Sequence, residues 1–260
     1  MMTAGGPVAL LANRLRAGEK QFIAWCGIPE VTIPEALVRD GYDAALLDMQ
    51  HGAYDFLSAA RGISQVVLAG KPTLVRIPVG QFATASRLLD YGAAGIVAPM
   101  VNSQDDARRF ASFVKFPPMG DRSWGPRHAL PLTGMDPATY LKEGNGIHLA
   151  IAMIETRQAL GALDEILSVP GLDGVLVGPS DLSIALTNGS TVDPHHAEVE
   201  KALEHVLARC KEHKKVSCLF CVDGKRAKEM SAKGFQLCSV STDSLSLRLG
   251  AKTELAAARG

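Results

Sequence analysis

Eight short apolar runs, each followed by a stretch of helical periodicity, set what this chain can fold into. The runs cover 22–26, 43–48, 73–77, 95–101, 148–154, 173–177, 216–221 and 236–240. Helical patterns lie at about 31–40, 54–68, 81–91, 103–114, 158–168, 194–212, 224–233 and 244–258. Most of the runs are rich in Val, Ile, Leu or Ala, as strands covered on both faces must be. Eight β-α units in 260 residues predict a (β/α)8 TIM barrel occupying 1–260 as a single domain. An open doubly wound sheet is the alternative. It would usually carry a Gly-rich phosphate fingerprint after its first strand, where this chain has Cys26-Gly27-Ile28-Pro29-Glu30.

Local signals agree with this division. Ser103 with Asp106 opens one helix, Asp193-Pro194 is expected to open another, and Gly41, Gly92, Gly171 and Gly234 end helices. Residues 115–147 break the rhythm with a connection far longer than an ordinary helix-to-strand loop, carrying Trp124, Arg122, Arg127 and His128 and a short helix near 137–143. Such long connections are often functional.

Charge narrows the partners. Twenty-seven basic residues balance 27 acidic ones with no basic stripe, so neither nucleic acid nor an anionic membrane is expected as a partner. The run Val8-Ala9-Leu10-Leu11-Ala12 meets Asn13, Arg14 and Arg16 at once and reads as an amphipathic helix, not a signal-peptide core. No apolar run reaches the roughly 20 residues that span a bilayer. The odd count of five cysteines, mostly in apolar runs, reads as buried thiols in a reducing, cytoplasmic setting. Cys218 and Cys221 form a CxxC inside a strand-like run. A redox pair would open a helix, so these are expected to be structural.

In a barrel the residues just past the C-terminal strand ends build the site. Here those are Trp25, Asp48, Gln50, His51, Arg76, Glu155, Gly178, Ser180 and Asp181. Glu155 and Asp181, two hard oxygen donors on neighbouring strands, suit Mg²⁺ or Mn²⁺; each could instead cap a helix. Asp48 and His51 can form a dyad in which the Asp fixes the imidazole tautomer, or His51 can sit at the surface. Arg76 at an apolar strand end needs an anionic partner, either a substrate oxygen or a neighbouring Asp. Gly178-Pro179-Ser180-Asp181 turns sharply into a helix whose backbone N–H groups could hold a carboxylate. His195, His196, His205 and His213 lie on or near one charged helix and read as solvated. No Lys falls at a strand end, which disfavours a Schiff-base mechanism.

Taken together, Asp48-Met49-Gln50-His51-Gly52, Val75-Arg76, Leu88-Leu89-Asp90-Tyr91-Gly92, Val97-Ala98-Pro99-Met100-Val101, Ile154-Glu155-Thr156 and Gly178-Pro179-Ser180-Asp181-Leu182-Ser183 resemble the HpcH/HpaI aldolases over nearly the whole chain. The resemblance implies a class II, metal-dependent pyruvate aldolase of the 4-hydroxy-2-oxo-heptanedioate aldolase type. Such an enzyme cleaves a 4-hydroxy-2-oxo acid reversibly to pyruvate and an aldehyde through a metal-bound pyruvate enolate. By the same resemblance, Glu155 and Asp181 hold the divalent ion (Mg²⁺, Mn²⁺ or Co²⁺) and Arg76 steadies the enolate oxygen. His51, supported by Asp48, handles the proton at the aldehyde oxygen. Backbone at Ser180 and Asp181 binds the pyruvate carboxylate, with Gly178 and Pro179 in the same turn. Trp25 and Leu219 line the pocket, and Asp90 serves a neighbouring subunit's site. The barrel's last helix is exchanged between subunits of a homo-hexamer built as a trimer of dimers.

Two departures stand out. Gln50 replaces a Glu found in many members, so any role there weakens from titration to hydrogen bonding. The loop Gly120-Asp121-Arg122-Ser123-Trp124-Gly125 differs from the family's Gly-x-Arg-Gly form, and Trp124 adds bulk on the side where the aldehyde is expected. The alternatives are a related acyl-CoA lyase or oxaloacetate decarboxylase, a phosphoenolpyruvate-using barrel, and a non-catalytic barrel that binds a 2-oxo acid.

Overall fold

The computed structural model describes residues 5–260. Eight parallel strands close into a barrel in sequence order: β1 (Gln21–Cys26), β2 (Ala44–Asp48), β3 (Thr73–Arg76), β4 (Gly95–Ala98), β5 (Leu149–Ile154), β6 (Gly174–Val177), β7 (Val216–Leu219) and β8 (Leu237–Thr242). β8 pairs with β1 to complete the ring, with a register shift between Ile23 and Trp25. This is the expected (β/α)8 architecture.

Period-2 alternation divides each strand between two cores. Ile23, Trp25, Leu46, Leu74, Val97, Ile151, Met153, Leu176, Cys218 and Leu237 form the barrel interior. Their neighbours Ala24, Leu47, Val75, Ile96, Ala150, Val175, Leu219 and Cys238 face the helical layer. An opening helix, α1 (Gly6–Arg16), places Leu11, Ala12 and Leu15 in the interior cluster and so stoppers the N-terminal mouth of the barrel.

The outer layer is α2 (Thr32–Arg39), α3 (Phe56–Leu68), α4 (Phe82–Asp90), α5 (Gln104–Val114), α6 (Ala129–Thr133), α7 (Pro137–Ile147), α8 (Arg157–Gly161), α9 (Leu163–Leu167), α10 (Pro179–Leu186), α11 (Ala197–Glu212), α12 (Gly224–Lys233) and α13 (Asp243–Arg259). The helix expected over 158–168 is two short ones broken at Ala162. Asp193-Pro194 does not open a helix. Asp193 instead accepts from the His195 amide, and His196 caps α11 by accepting from the Glu198 amide. Ser103 does cap α5, accepting from the Asp106 amide.

The long connection is ordered by buried polar bonds. Lys115 is 1% exposed, donating to Asp173 at 2.7 Å and to the carbonyls of Asn145 and His148. Arg122 reaches Asp90 at 2.8 Å and the Tyr140 hydroxyl at 3.2 Å, and that hydroxyl meets His148 Nε2 at 2.7 Å. Burial drives the His148 pKa well below its ordinary range, so the ring is neutral. All five cysteines are buried and free, as a structural reading of the CxxC requires.

Candidate active site

The alternation that builds the interior core also decides which side chains emerge at the top of the barrel. Continuing each interior series by two residues leads to Asp48, Arg76, Glu155, Gly178 and Phe220. A cavity of about 290 Å³ opens there, walled by Trp25, Asp48, Arg76, Met153 and Phe220 and by the turn from Gly178 to Asp181. A larger groove of about 740 Å³ lies on the flank between α11 and α12, away from every C-terminal strand end. It holds surface charges such as the pair Lys233 and Glu200 at 3.5 Å. The top cavity is where buried charges converge.

Asp48 and Arg76 are adjacent in the β2–β3 register and are both buried. Arg76 Nε and Nη2 donate to the two carboxylate oxygens at 2.9 and 2.6 Å. Trp25 Nε1 donates to the same carboxylate at 3.2 Å, and its ring lies 4.8 Å from the guanidinium carbon. Burial pulls the Asp48 pKa upward, but hydrogen bonds and charge from Arg76 outweigh it and hold the group below its ordinary value. Arg76 Nη1 finds only the Met153 sulfur, at 3.9 Å, and keeps donor capacity for another acceptor.

The expected Asp48–His51 dyad is not formed. Asp48 spends its oxygens on Arg76, Trp25 and the backbone amides of Gln50 (3.0 Å) and His51 (3.3 Å). It therefore shapes the turn that carries His51 without holding the imidazole. His51 is exposed at the cavity rim.

Glu155 is 2% exposed. Its Oε1 accepts from the Met100 amide at 2.7 Å, while its Oε2 is buried with no partner. Burial, reinforced by the nearby Asp181 charge, raises its pKa. A Cβ at Gly178 would lie 2.7 Å from Oε2, so glycine there leaves that oxygen uncovered. Among the described residues no three His, Cys, Asp or Glu side chains gather as a metal cluster. The donor set is a carboxylate pair, with one oxygen orphaned and the second acid exposed at the cavity wall. That suits a hard divalent cation completing its shell with water or substrate oxygens. Pro179 has no N–H, and the next amides, at Ser180 and Asp181, face no acceptor in the first turn of α10.

Two residues expected in the pocket fall elsewhere. Leu219 belongs to the outward-facing series of β7 and is 1% exposed in the helical layer; Phe220 takes the pocket position, edge-on to Trp25 at 5.0 Å. Gln50 does not line the cavity, and its Oε1 is buried without a partner. Asp90 lies at the end of α4, bound to Arg122, outside this chain's cavity.

Sequence reasoning also missed the contribution of β8. Thr242, Asp243 and Ser244 line the cavity, because β8 runs two residues beyond its expected end. The polar run Ser241 to Ser244 hid this extension, since it breaks the apolar pattern by which the strands are read.

Residues 21–249 match the family model described as HpcH/HpaI aldolase/citrate lyase. The chain is 38% identical to a hydroxypyruvate/pyruvate aldolase of Rhizorhabdus wittichii, over 93% of this chain and 95% of that protein. It is 30% identical to a 2-keto-3-deoxy-L-rhamnonate aldolase of Shigella sonnei, over 91% and 90%. The fold superimposes on an HpcH/HpaI aldolase/citrate lyase family protein of Burkholderia cenocepacia with a TM-score of 0.88 at 29% identity, covering 97% of this chain and 100% of the other.

Proposed function

Because the chain belongs to the HpcH/HpaI aldolase/citrate lyase family, we propose that it is a divalent-metal-dependent pyruvate aldolase that cleaves a 4-hydroxy-2-oxo acid to pyruvate and an aldehyde and runs the reverse addition. The observation that carries this reading is the orphaned Oε2 of buried Glu155, beside Asp181 and the free face of Arg76.

Glu155 and Asp181 are the residues that would hold the ion, with Mg²⁺, Mn²⁺ and Co²⁺ all compatible with oxygen donors. When bound, a divalent ion there supplies electrophilic polarisation of the 2-oxo acid. The open amides of Ser180 and Asp181 receive the substrate carboxylate, with the positive end of α10 behind them. Arg76, held by Asp48, offers Nη1 to the keto oxygen. As the C3–C4 bond breaks, its electron pair passes to the pyruvate unit and negative charge grows on that oxygen. A pre-oriented guanidinium lowers the cost of that charge without moving. His51 takes the C4 hydroxyl proton during cleavage and returns it during addition. Trp25, Met153 and Phe220 exclude water from the carbanion side.

We place Asp90 in the same reading as a residue offered to a neighbouring subunit, and α13 as the exchanged element of a hexamer. Leu245, Leu247, Leu249 and Leu255 of α13 are each about half exposed or more, and only Asp243 of that helix is buried. Four leucines of one helix left uncovered by their own barrel call for another chain. Five free buried thiols support a reducing compartment such as the cytoplasm. No described helix is long and apolar enough to cross a membrane.

The test is exchange of pyruvate methyl protons with deuterated water, followed by NMR after EDTA and again with added Mg²⁺ or Mn²⁺. Metal-dependent exchange is expected. Folded protein that shows no exchange with any ion overturns the aldolase reading.

A further inference from the structure

Asp243, the first residue of α13, is 5% exposed on the cavity wall. It follows the last strand, β8, two strands from Asp181 and three from Glu155 around the ring. Its Oδ2 accepts from the amides of Gly27 at 3.0 Å and Ile28 at 2.9 Å, and its Oδ1 from the Ser244 amide at 2.7 Å. Three backbone donors on one buried carboxylate make a charge-assisted clamp across the seam between β8 and β1. The backbone just before it is committed to this arrangement, with Ser241 at φ +61°, a left-handed conformation that costs a non-glycine residue free energy.

The clamped turn touches the turn that carries His51. The Gly27 carbonyl accepts from the Ala53 amide at 2.8 Å. A Cβ added to Gly52 would lie 2.8 Å from Gly27 Cα and 2.3 Å from the Asp48 carbonyl. The two turns are therefore in backbone-to-backbone contact that only glycine at 52 allows. His51 precedes that contact directly and has no side-chain hydrogen bond to Asp48. Its placement at the rim is thus set by its backbone, from below by Asp48 and from the side by Gly27.

We propose that Asp243 is a positioning residue for His51. It fixes the Gly27–Ile28 turn, which fixes Gly52 and thereby the height and direction of the imidazole over the cavity. The assignment rests on the reading of His51 as the group that handles the C4 hydroxyl proton. Asp243 makes no proton transfer itself, because its oxygens are engaged by amides. Displacing a reacting group by about 1 Å can cost about 100-fold in rate.

The experiment compares two reactions of the metal-loaded protein. One is cleavage of 4-hydroxy-2-oxopentanoate, which needs the C4 proton to move. The other is deuterium exchange into pyruvate, which does not. Asp243→Asn is expected to lower kcat for cleavage about 10-fold or more, with KM changed less than about threefold and exchange within about twofold of wild type. Asp243→Glu, which keeps the charge, is expected to recover most of the loss. Gly52→Ala reads the same contact from the other side and serves if Asp243→Asn does not fold; it should show the same split. Equal loss in both reactions, or no loss in either, overturns the positioning role while leaving the proposed function standing. A wild-type protein inactive in both reactions removes the proposed function, and this assignment with it.

Discussion

The guanidinium of Arg76 and the carboxylate of Asp48 face each other from adjacent strands, joined by two hydrogen bonds of 2.9 and 2.6 Å with both side chains under a tenth exposed. The pair gives the cavity an oriented cation whose charge is already compensated. A buried ion pair of this kind contributes little net stability, but breaking it strands a charge.

Asp48→Asn is therefore expected to cost about 3–5 kcal/mol of unfolding free energy at pH 7. The pKa of Asp48 is lowered in the folded state. Its contribution is then present above the unfolded value of about 3.9 and is lost as pH falls through the lower folded value. The stability gap between wild type and variant in urea titrations should be largest at neutral pH and narrow as pH falls below about 4. A gap that does not change with pH would contradict the assignment.

Removing either half of the carboxylate pair should remove the ion. Wild-type protein in Mn²⁺ at about 100 times its Kd is expected to gain about 2.7 kcal/mol of stability over the EDTA-treated form. Glu155→Ala and Asp181→Ala should show no such gain and no pyruvate exchange, which differential scanning calorimetry and NMR will read directly.

His51→Ala is expected to slow aldol cleavage by about 100- to 10,000-fold, the range for losing a general base, while pyruvate exchange stays within a few-fold of wild type. Steady-state cleavage assays alongside NMR exchange rates separate the two. Parallel loss would remove His51 from the C4 proton transfer.

Tyr140→Phe deletes the hydroxyl between His148 Nε2 and Arg122. Leaving buried groups unpaired should cost about 1–3 kcal/mol, measurable by urea unfolding. Asp90 is tethered by the same Arg122, so a loss of cleavage beyond the loss of folded protein would tie the long connection to catalysis.

Truncation after Leu249 removes the outer part of α13, including Leu255, which is 49% exposed in the single chain. If α13 is exchanged between subunits, light scattering should report a smaller assembly than the full chain forms. An unchanged mass would contradict the exchange.

The order of the eight strands, the closing of the barrel and the ends where Asp48, Arg76, Glu155 and Asp181 emerge were legible as apolar runs stopping at charged residues. The metal-compatible pair was legible for the same reason, since hard oxygens past two neighbouring parallel strands must share a face. The position of Leu219 was misjudged: Cys218 faces the barrel interior, so the next interior position is Phe220, and Leu219, expected in the pocket, falls to the helical layer. Asp243 was harder to find. β8 ends in Ser241-Thr242, which reads as a loop until pairing with β1 continues it.

By itself, then, the sequence determined the periodicities, and with them the fold, because burying an apolar face is a local requirement that each strand and helix carries in its own residues. Tertiary structure alone decided who pairs with whom. Asp48 lies three residues from His51 in the chain, yet it binds Arg76, because β2 and β3 bring that guanidinium closer in a dry environment where an unpaired cation is costly. Asp243 meets Gly27 across 216 residues because a closed barrel makes its last strand a neighbour of its first, a contact between distant residues that no local pattern encodes.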